Sequence, residues 1–318
     1  MRGQADPVNI RDVSDCLVLA VEPGGAKEKH WFFDPERVQP GNPDSSRSLF
    51  KYARRESGED WSEVLASWLA HRLQLPHAEY DLGVWKGRRG VISYNFRSPG
   101  QEVDHGVDLL CRMLGPNYNP IGSKGRERRQ HTLKNIFWAL ETVGAPDGMD
   151  CGAGTVKKAS DVFTGYLMLD CLIGNTDRHD YNWAVLSRPK LSDRELRLAP
   201  TYDHASCLGR ELSDVKRSQM LKTHSVGTYA EGARCKIFSD DPEPRLLRPV
   251  DAFADAAARV PDAAAYWRER LHSISEADLR GLVERMPGER MSGAARCFAA
   301  EFLVHTRSRL LGLDGPRK

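Results

Sequence analysis

An apolar helix that ends at a glycine most constrains how this chain can fold. Apolar residues recur at helical spacing from Val162 to Ile173, and Gly174 follows as a residue that ends helices well. Ser160 and Asp161 supply capping side chains at its start. The segment is too short to span a bilayer, so it predicts a helix buried in a globular lobe. The residues after Gly174 are therefore mounted at the end of a rigid element.

Those residues carry an acid, an amide and a second acid in order. Asp177 is followed by Asn182, and Asp203 comes after two apolar runs, 183–186 and 195–199, which predict a hairpin that returns Asp203 to Asn182. Phosphoryl transfer from ATP needs a carboxylate to take the hydroxyl proton, and amide and carboxylate oxygens to bind Mg²⁺. Arg178 and His179 could hold this loop or neighbouring carboxylates, and His179 joins Asp177 among the candidate catalytic residues. Asn and Asp also cap ordinary turns, and that alternative stays open.

The composition bounds these hypotheses without proving them. The chain has 318 residues, 40% hydrophobic residues and a formal net charge of +2, so it can bury a core and gives no reason to expect a nucleic-acid or membrane partner. Its seven cysteines are scattered and form no CxxC pair, which favours a reducing cytoplasm. The N-terminal residues lack the apolar core of a signal peptide.

A glycine-bearing turn between two strand-like runs, 16–21 and 31–33, is a candidate phosphate loop. Glycine removes the side chain that would keep a phosphate from backbone N–H groups. An ordinary hairpin turn is the alternative. The candidate nucleotide-binding residues in this region are Gly24, Gly25, Ala26, Lys27 and Lys29.

Lys51 lies inside an otherwise apolar strand, 48–53. Such a lysine is either an edge residue that reaches solvent or a cleft residue that neutralises ATP phosphates. Glu63 lies in the first turn of a helix predicted over 61–73, and we expect it to form an ion pair with Lys51. Glu63 could instead favour the positive end of its own helix.

Two further strands, 78–84 and 89–96, complete a small sheet, and helical periodicity follows. The sequence therefore predicts an α+β fold in which residues 1–97 form a small antiparallel sheet lobe with one helix and 98–318 form a larger, mainly helical lobe. A segment that joins two lobes can bind an adenine edge through its backbone, so the candidate base contacts are Tyr94, Asn95 and Phe96.

Two polar regions are less informative. The basic cluster 124–131 is a solvated helix face or a docking patch for an acidic partner, and without interleaved aromatic residues it does not predict direct nucleic-acid binding. Residues 204–236 are polar and predict either a flexible segment for substrate presentation or phosphorylation, or an inert surface loop.

At the level of motifs, the chain resembles the HipA-like serine/threonine kinases. The strings that carry the resemblance are GAKEK (25–29), SLFK (48–51), WSE (61–63), LIGNTDRHDYN (172–182) and LAPTYDHAS (198–206). It implies a two-lobed protein-kinase-like fold, Asp177 as catalytic base, Asn182 and Asp203 as magnesium ligands, Lys51 as an ATP contact, and 22–29 as the phosphate loop. It also implies a bacterial toxin-type kinase that phosphorylates protein Ser/Thr hydroxyls, can autophosphorylate and often has a DNA-binding antitoxin partner.

The sequence departs from that family at two places. Only about fifteen residues precede the first strand, as in the short, single-unit members. Residues 22–29 contain no serine, whereas some members carry one whose autophosphorylation inhibits the enzyme.

Three other hypotheses remain open from the residues. A small-molecule phosphotransferase of the antibiotic-kinase kind uses a similar Asp, Asn and Asp arrangement. A catalytically silent binding module could keep the fold, although Lys51, Asp177, Asn182 and Asp203 are all present. A metal hydrolase using Asp177, His179, Asp203 and His204 would leave the strand lysine without a task.

Overall fold

The computed structural model describes residues 8, 10–22, 28–115, 118, 129–149, 154–189 and 194–313. These residues form a sheet lobe and a mainly helical lobe, so the predicted α+β, two-lobed architecture is confirmed. In the described ranges no helix is both long enough and apolar enough to cross a membrane.

The first lobe is a six-stranded sheet with one helix packed on it. The strands are β1 (Arg11–Asp12), β2 (Val18–Val21), β3 (Lys29–Phe33), β4 (Arg47–Tyr52), β5 (Tyr80–Trp85) and β6 (Arg88–Tyr94). Their order across the sheet is β1-β5-β6-β4-β3-β2. The prediction of a purely antiparallel sheet needs one correction, because β1 pairs in parallel with β5 at the edge. The short polar N-terminal segment supplies this strand.

The two faces of the sheet are covered by different groups of residues. On one face His30, Phe32, Phe50 and Trp85 form a small aromatic cluster. On the other lies helix α1 (Glu59–Arg72), which also packs against the second lobe and is therefore buried nearly all round.

The second lobe combines a three-stranded sheet with nine helices among the described residues. The strands β7 (Glu102–His105), β8 (Ala184–Pro189) and β9 (Arg194–Leu198) pair in the order β7-β8-β9. The helices are α2 (Gly106–Leu114), α3 (Leu133–Leu140), α4 (Ala159–Ile173), α5 (Asp214–Lys222), α6 (Val226–Gly232), α7 (Pro249–Arg259), α8 (Pro261–His272), α9 (Glu276–Glu284) and α10 (Gly293–Leu311). The connection to the first lobe spans 95–101.

Helix α4 is buried in this lobe, as its sequence predicts. Nearly every residue is buried, and the helix ends at Gly174, whose φ of +65° is the left-handed conformation that glycine adopts without steric cost. Asn175 N–H then donates to the Asp170 carbonyl at 2.8 Å, which closes the helix end. This closure sets the starting point of the following loop.

The segment after Asp203 differs from its prediction. Residues 204–236 contain α5 and α6, which pack against α10 rather than forming a flexible loop. Their apolar anchors, Met220, Leu221 and Tyr229, are too widely spaced among polar residues to give a clear periodic signal.

Candidate active site

The loop after α4 is held by a buried ion pair. Asp170 is in the last turn of α4, and both it and Arg178 have side chains exposed by 2% or less. Arg178 Nε donates to Asp170 Oδ2 at 2.7 Å and Nη2 donates to Oδ1 at 2.8 Å, while Asn175 Nδ2 donates to the same Oδ1 at 2.8 Å. A bidentate, charge-assisted pair fixes orientation as well as distance. Through this ion pair, helix α4 fixes the conformation of the loop that follows it.

Asp177 and Asn182 are joined across this loop. Asn182 Nδ2 donates to the main-chain oxygen of Asp177 at 2.8 Å. Since the amide nitrogen is used in this way, Oδ1 is the side-chain oxygen that remains for another contact. The Asp177 side chain is 39% exposed, so its carboxylate is open to a substrate.

His179 is partly exposed and contacts Tyr181 within the same loop. Its Nδ1 accepts the backbone N–H of Tyr181 at 3.1 Å, and the two rings lie edge to face. His179 Nε2 is 3.9 Å from Asp177 Oδ1, which is beyond hydrogen-bonding distance. His179 thus contacts Tyr181 of the same loop, and its role in holding the loop stays a prediction.

The β8–β9 hairpin brings the Asp203 segment back to the loop, as the sequence predicts. Arg178 Nη1 donates to the carbonyl of Asn182 at 2.5 Å, and Nη2 donates to Thr201 Oγ1 at 3.0 Å. Tyr202 Oη donates to the Tyr181 carbonyl at 2.8 Å. The buried guanidinium of Arg178 thus links Asn182 to Thr201, which lies two residues before Asp203.

Lys51 reaches this segment from the sheet lobe. Its Nζ lies 3.5 Å from Asp203 Oδ1 and 5.4 Å from the centre of the Tyr80 ring. Burial by itself would lower the pKa of the Lys51 ammonium, but Asp203, Tyr80 and Glu63 outweigh it and raise that pKa above its ordinary value. The raised pKa favours the charged form of Lys51 beside Asp203, and Lys51 lies in an inner strand of the sheet rather than at its edge.

Glu63 has a different partner from the one the sequence predicts. Among the described residues, the ion pair of Lys51 is with Asp203, and Glu63 Oε1 accepts the backbone N–H of His204 at 2.6 Å. The reason is that the chain after Asp203 runs directly along α1, where Ser62 Oγ also donates to the Ala205 carbonyl at 2.8 Å. Glu63 still acts on Lys51 through space, because its charge raises the lysine pKa.

The candidate phosphate loop is only partly described. Gly24, Gly25, Ala26 and Lys27 lie outside the described residues. Lys29 is directly across the β3–β4 ladder from Lys51, and its Nζ is 2.7 Å from Glu22 Oε1. The two lysines therefore share one face of the sheet.

The three candidate base contacts occupy different surroundings. Tyr94 ends β6, where its N–H donates to the Glu79 carbonyl and its hydroxyl donates to Asp81. Asn95 Nδ2 donates to the Asp44 carbonyl, and the Phe96 ring stacks on Tyr202 with centroids 6.0 Å apart. Phe96 therefore links the interlobe connection to the residue before Asp203.

Sequence reasoning missed the residues that support the site from behind. These are Asp170, Thr201 and Tyr80, whose hydroxyl accepts the N–H of Asp203 at 3.2 Å. An acid in the last turn of the apolar helix, eight residues before an arginine, is the one signal that could have identified Asp170.

The hydrolase alternative receives no geometric support. Within the described ranges no group of three or more His, Cys, Asp or Glu side chains is arranged to hold a metal ion. His204 is 1% exposed and contacts Thr201 and Glu63 instead of the cleft.

Comparisons with known proteins identify a relative by sequence and similar folds among solved structures. No protein-family model matches the chain. The chain is 25% identical over 163 residues to the serine/threonine-protein kinase CtkA of Helicobacter pylori, over 51% of this chain and 44% of CtkA. The matched region thus spans less than half the length of that curated relative.

Solved structures match over most of the chain. The crystal structure of the Helicobacter pylori proinflammatory kinase CtkA gives a TM-score of 0.68 at 18% identity, covering 95% of this chain and 96% of that one. HipA of Shewanella oneidensis, from a complex with HipB and operator DNA, gives 0.49 at 12% identity, covering 94% and 68%. The match to the CtkA structure confirms the two-lobed kinase fold that the sequence predicts, and the sequence similarity to CtkA, a serine/threonine-protein kinase, supports the predicted resemblance.

Proposed function

We propose that this chain is a serine/threonine protein kinase that uses ATP and Mg²⁺. The observation that carries the proposal is the approach of Lys51 from the sheet lobe to Asp203, next to the loop that bears Asp177 and Asn182. A fixed ammonium, an exposed carboxylate and oxygen ligands within one cleft are the parts that phosphoryl transfer requires. The sequence similarity to CtkA supports the same activity.

The residues present fit a magnesium ion by their chemistry. Asn182 offers an amide oxygen because its nitrogen is engaged by Asp177, and Asp203 offers a carboxylate. Mg²⁺ prefers such hard oxygen ligands and usually keeps several waters, so two protein ligands suffice. Asn182 and Asp203 would hold the ion, which would neutralise phosphate charge.

Each remaining residue then has a defined task. Asp177 orients the Ser/Thr hydroxyl and accepts its proton as the oxygen bonds to the γ-phosphorus and the bond to ADP breaks. Lys51 attracts the phosphates, and Lys29, on the same face of the sheet, adds a second positive charge. The buried Asp170–Arg178 pair keeps the loop from moving while this occurs.

We propose that the adenine lies against the interlobe connection. Tyr94 uses its N–H inside the sheet lobe, so the base contacts fall to the backbone of Asn95 and Phe96. Among the described residues, neither backbone forms a hydrogen bond within the protein. The same proposal places the protein in the bacterial cytoplasm with a protein substrate and an antitoxin partner, as the family resemblance implies.

The test is to incubate the purified chain with labelled ATP, Mg²⁺ and a bacterial lysate. We expect a protein band to gain label that is stable to treatments specific for acyl phosphates, and that phosphoamino-acid analysis identifies as phosphoserine or phosphothreonine. Omission of Mg²⁺ and the Asp203→Asn variant are the controls. Label that appears only on small hydroxyl compounds supports the small-molecule alternative, and no transfer in any arm contradicts the proposal.

A further inference from the structure

We propose that α1 positions the metal-binding carboxylate of Asp203 through the backbone and side chain of His204, with Glu63 as the holding group. The inference rests on the proposed function and gives Glu63 and His204 positioning roles within it. It assigns Glu63 to the turn that carries Asp203, whereas the sequence assigns it to Lys51.

The first evidence is the short contact between Glu63 and the main chain. Glu63 Oε1 accepts the His204 N–H at 2.6 Å, and both side chains are 1% exposed. A hydrogen bond to an ionised acceptor is about twice as strong as a neutral one. Ser62 holds the next residue, Ala205, by its carbonyl. Ser62 and Glu63, which are adjacent in α1, thus both form hydrogen bonds to the chain just after Asp203.

The second evidence is the conformation of Asp203 itself. Its φ is +59°, in the left-handed region that residues with a side chain adopt at a cost. Such a backbone persists only where its surroundings determine it. On one side the Asp203 N–H donates to Tyr80, and on the other Glu63 holds the N–H of His204. Removing the second contact releases the turn toward an ordinary conformation.

The third evidence is the imidazole of His204. Arg178 Nη2 donates to Thr201 Oγ1, and Thr201 Oγ1 lies 2.7 Å from His204 Nε2. Among the described residues Thr201 has no other acceptor for its hydroxyl proton, so Nε2 accepts it and Nδ1 carries the ring proton. His204 therefore connects the turn to Arg178 and, through it, to the catalytic loop.

The remaining ring nitrogen faces α1. His204 Nδ1 is buried, has no hydrogen-bond partner among the described residues, and lies 3.7 Å from Glu63 Oε1. A buried donor left in this way is costly, and a small approach of the helix to the turn would satisfy it. The geometry therefore couples the position of α1 to that of Asp203.

A pair of substitutions at Glu63 separates this role from an ion pair with Lys51. Glu63→Gln keeps an oxygen that can accept the His204 N–H but removes the charge, whereas Glu63→Ala removes both. We expect Glu63→Gln to keep kcat within about tenfold of the wild type, and Glu63→Ala to lose about 10–100-fold, as for other supports of metal ligands. The Lys51→Met variant provides the level of activity expected when the lysine is lost.

The inference is overturned if Glu63→Gln is as inactive as Lys51→Met while the wild type transfers phosphate. A second measurement does not depend on turnover: the rise in Tm caused by a non-hydrolysable ATP analogue with Mg²⁺, relative to the analogue alone. We expect this Mg²⁺-dependent rise to shrink in His204→Ala and in Glu63→Ala, and to be retained in Glu63→Gln. An equal rise in all three contradicts the inference, whereas an inactive wild type would instead contradict the proposed function.

Discussion

Neighbouring residues of the catalytic loop have opposite surroundings. Arg178 is fully buried, whereas the side chain of Asp177 beside it is 39% exposed. The buried residue determines the shape of the loop, and the exposed one is available for chemistry. Substitution of Asp177 should therefore affect activity without affecting folding.

We expect Asp177→Asn to lower phosphate transfer about a thousandfold or more, because the amide cannot accept the hydroxyl proton. Its Tm should stay near that of the wild type. Asp262→Asn makes the same change on the exposed surface of α8 and should leave the rate unchanged. Equal rates for the two variants in a labelled-ATP assay would contradict the assignment of Asp177.

His30 should make stability depend on pH. Its ring is packed 4.1 Å from that of Trp85, and burial lowers its pKa. As the pH falls below about 6.5, the unfolded chain binds a proton there that the folded protein does not, so the free energy of unfolding decreases. His77 acts in the same direction, because burial lowers its pKa too.

We expect His30→Gln to weaken this decrease between pH 7.5 and 5, measured by urea denaturation at each pH. His272→Gln makes the same change at an exposed position and provides the comparison. A wild-type stability that rises toward pH 5 with no effect of His30→Gln would contradict the assignment.

At the scale of elements, the buried pair between α4 and its following loop should dominate local stability. Removing one partner of a buried pair costs about 3–5 kcal/mol, whereas an exposed pair contributes about 1 kcal/mol or less. We expect Arg178→Met to lower the free energy of unfolding by the larger amount. Glu301→Ala, which breaks an exposed pair with Arg280, is the comparison. Similar losses in denaturant titrations would contradict the claim.

Two glycines in helical regions should respond oppositely to alanine. Gly174 has φ +65°, and a Cβ there would overlap the Phe302 ring, so Gly174→Ala should destabilise by more than about 1–2 kcal/mol. Gly281 lies inside α9 with open space around it, and Gly281→Ala should stabilise by about 0.5–1 kcal/mol. Shifts of the same sign in urea titrations would contradict the different roles given to these two glycines.

What the sequence predicts well at this scale is what local patterns encode. Helix α4, its glycine stop and the β8–β9 hairpin follow from apolar spacing and turn residues, and Lys51 follows from its place in a strand. The ion-pair partner of Lys51 could not be predicted in this way, because it depends on where the chain after Asp203 meets α1. That contact joins Glu63 to His204, which are 141 positions apart. Helices α5 and α6 also depend on distant packing, against α10.

At the scale of the whole molecule, a buried carboxylate joins the two lobes behind the site. Asp60 of α1 is fully buried and accepts from Arg89 of the sheet lobe at 2.9 Å and from Arg290 of the helical lobe at 3.0 Å. Arg290 also donates to the Gly83 carbonyl at 3.0 Å. This contact fixes α1 relative to the segment between α9 and α10.

Arg290→Ala should lower the free energy of unfolding by about 1–3 kcal/mol, since it removes one of the two arginines that pair with Asp60 and a donor to the Gly83 carbonyl. Arg285→Ala removes an exposed arginine of the same region, 5.0 Å from the Trp68 ring, and should cost about 1 kcal/mol or less. If guanidinium-chloride titrations show equal costs, Arg290 does not join the lobes in the way described.

The proposed reaction requires two oxygen ligands from separate segments of the chain to meet at one ion. The most direct measurement is the anomalous difference density of Mn²⁺ in crystals grown with Mn²⁺ and a non-hydrolysable ATP analogue. We expect a peak in contact with Asn182 Oδ1 and the Asp203 carboxylate, with the analogue's phosphates between it and Lys51. A peak that touches neither residue, or a nucleotide bound elsewhere, would contradict the proposed active site.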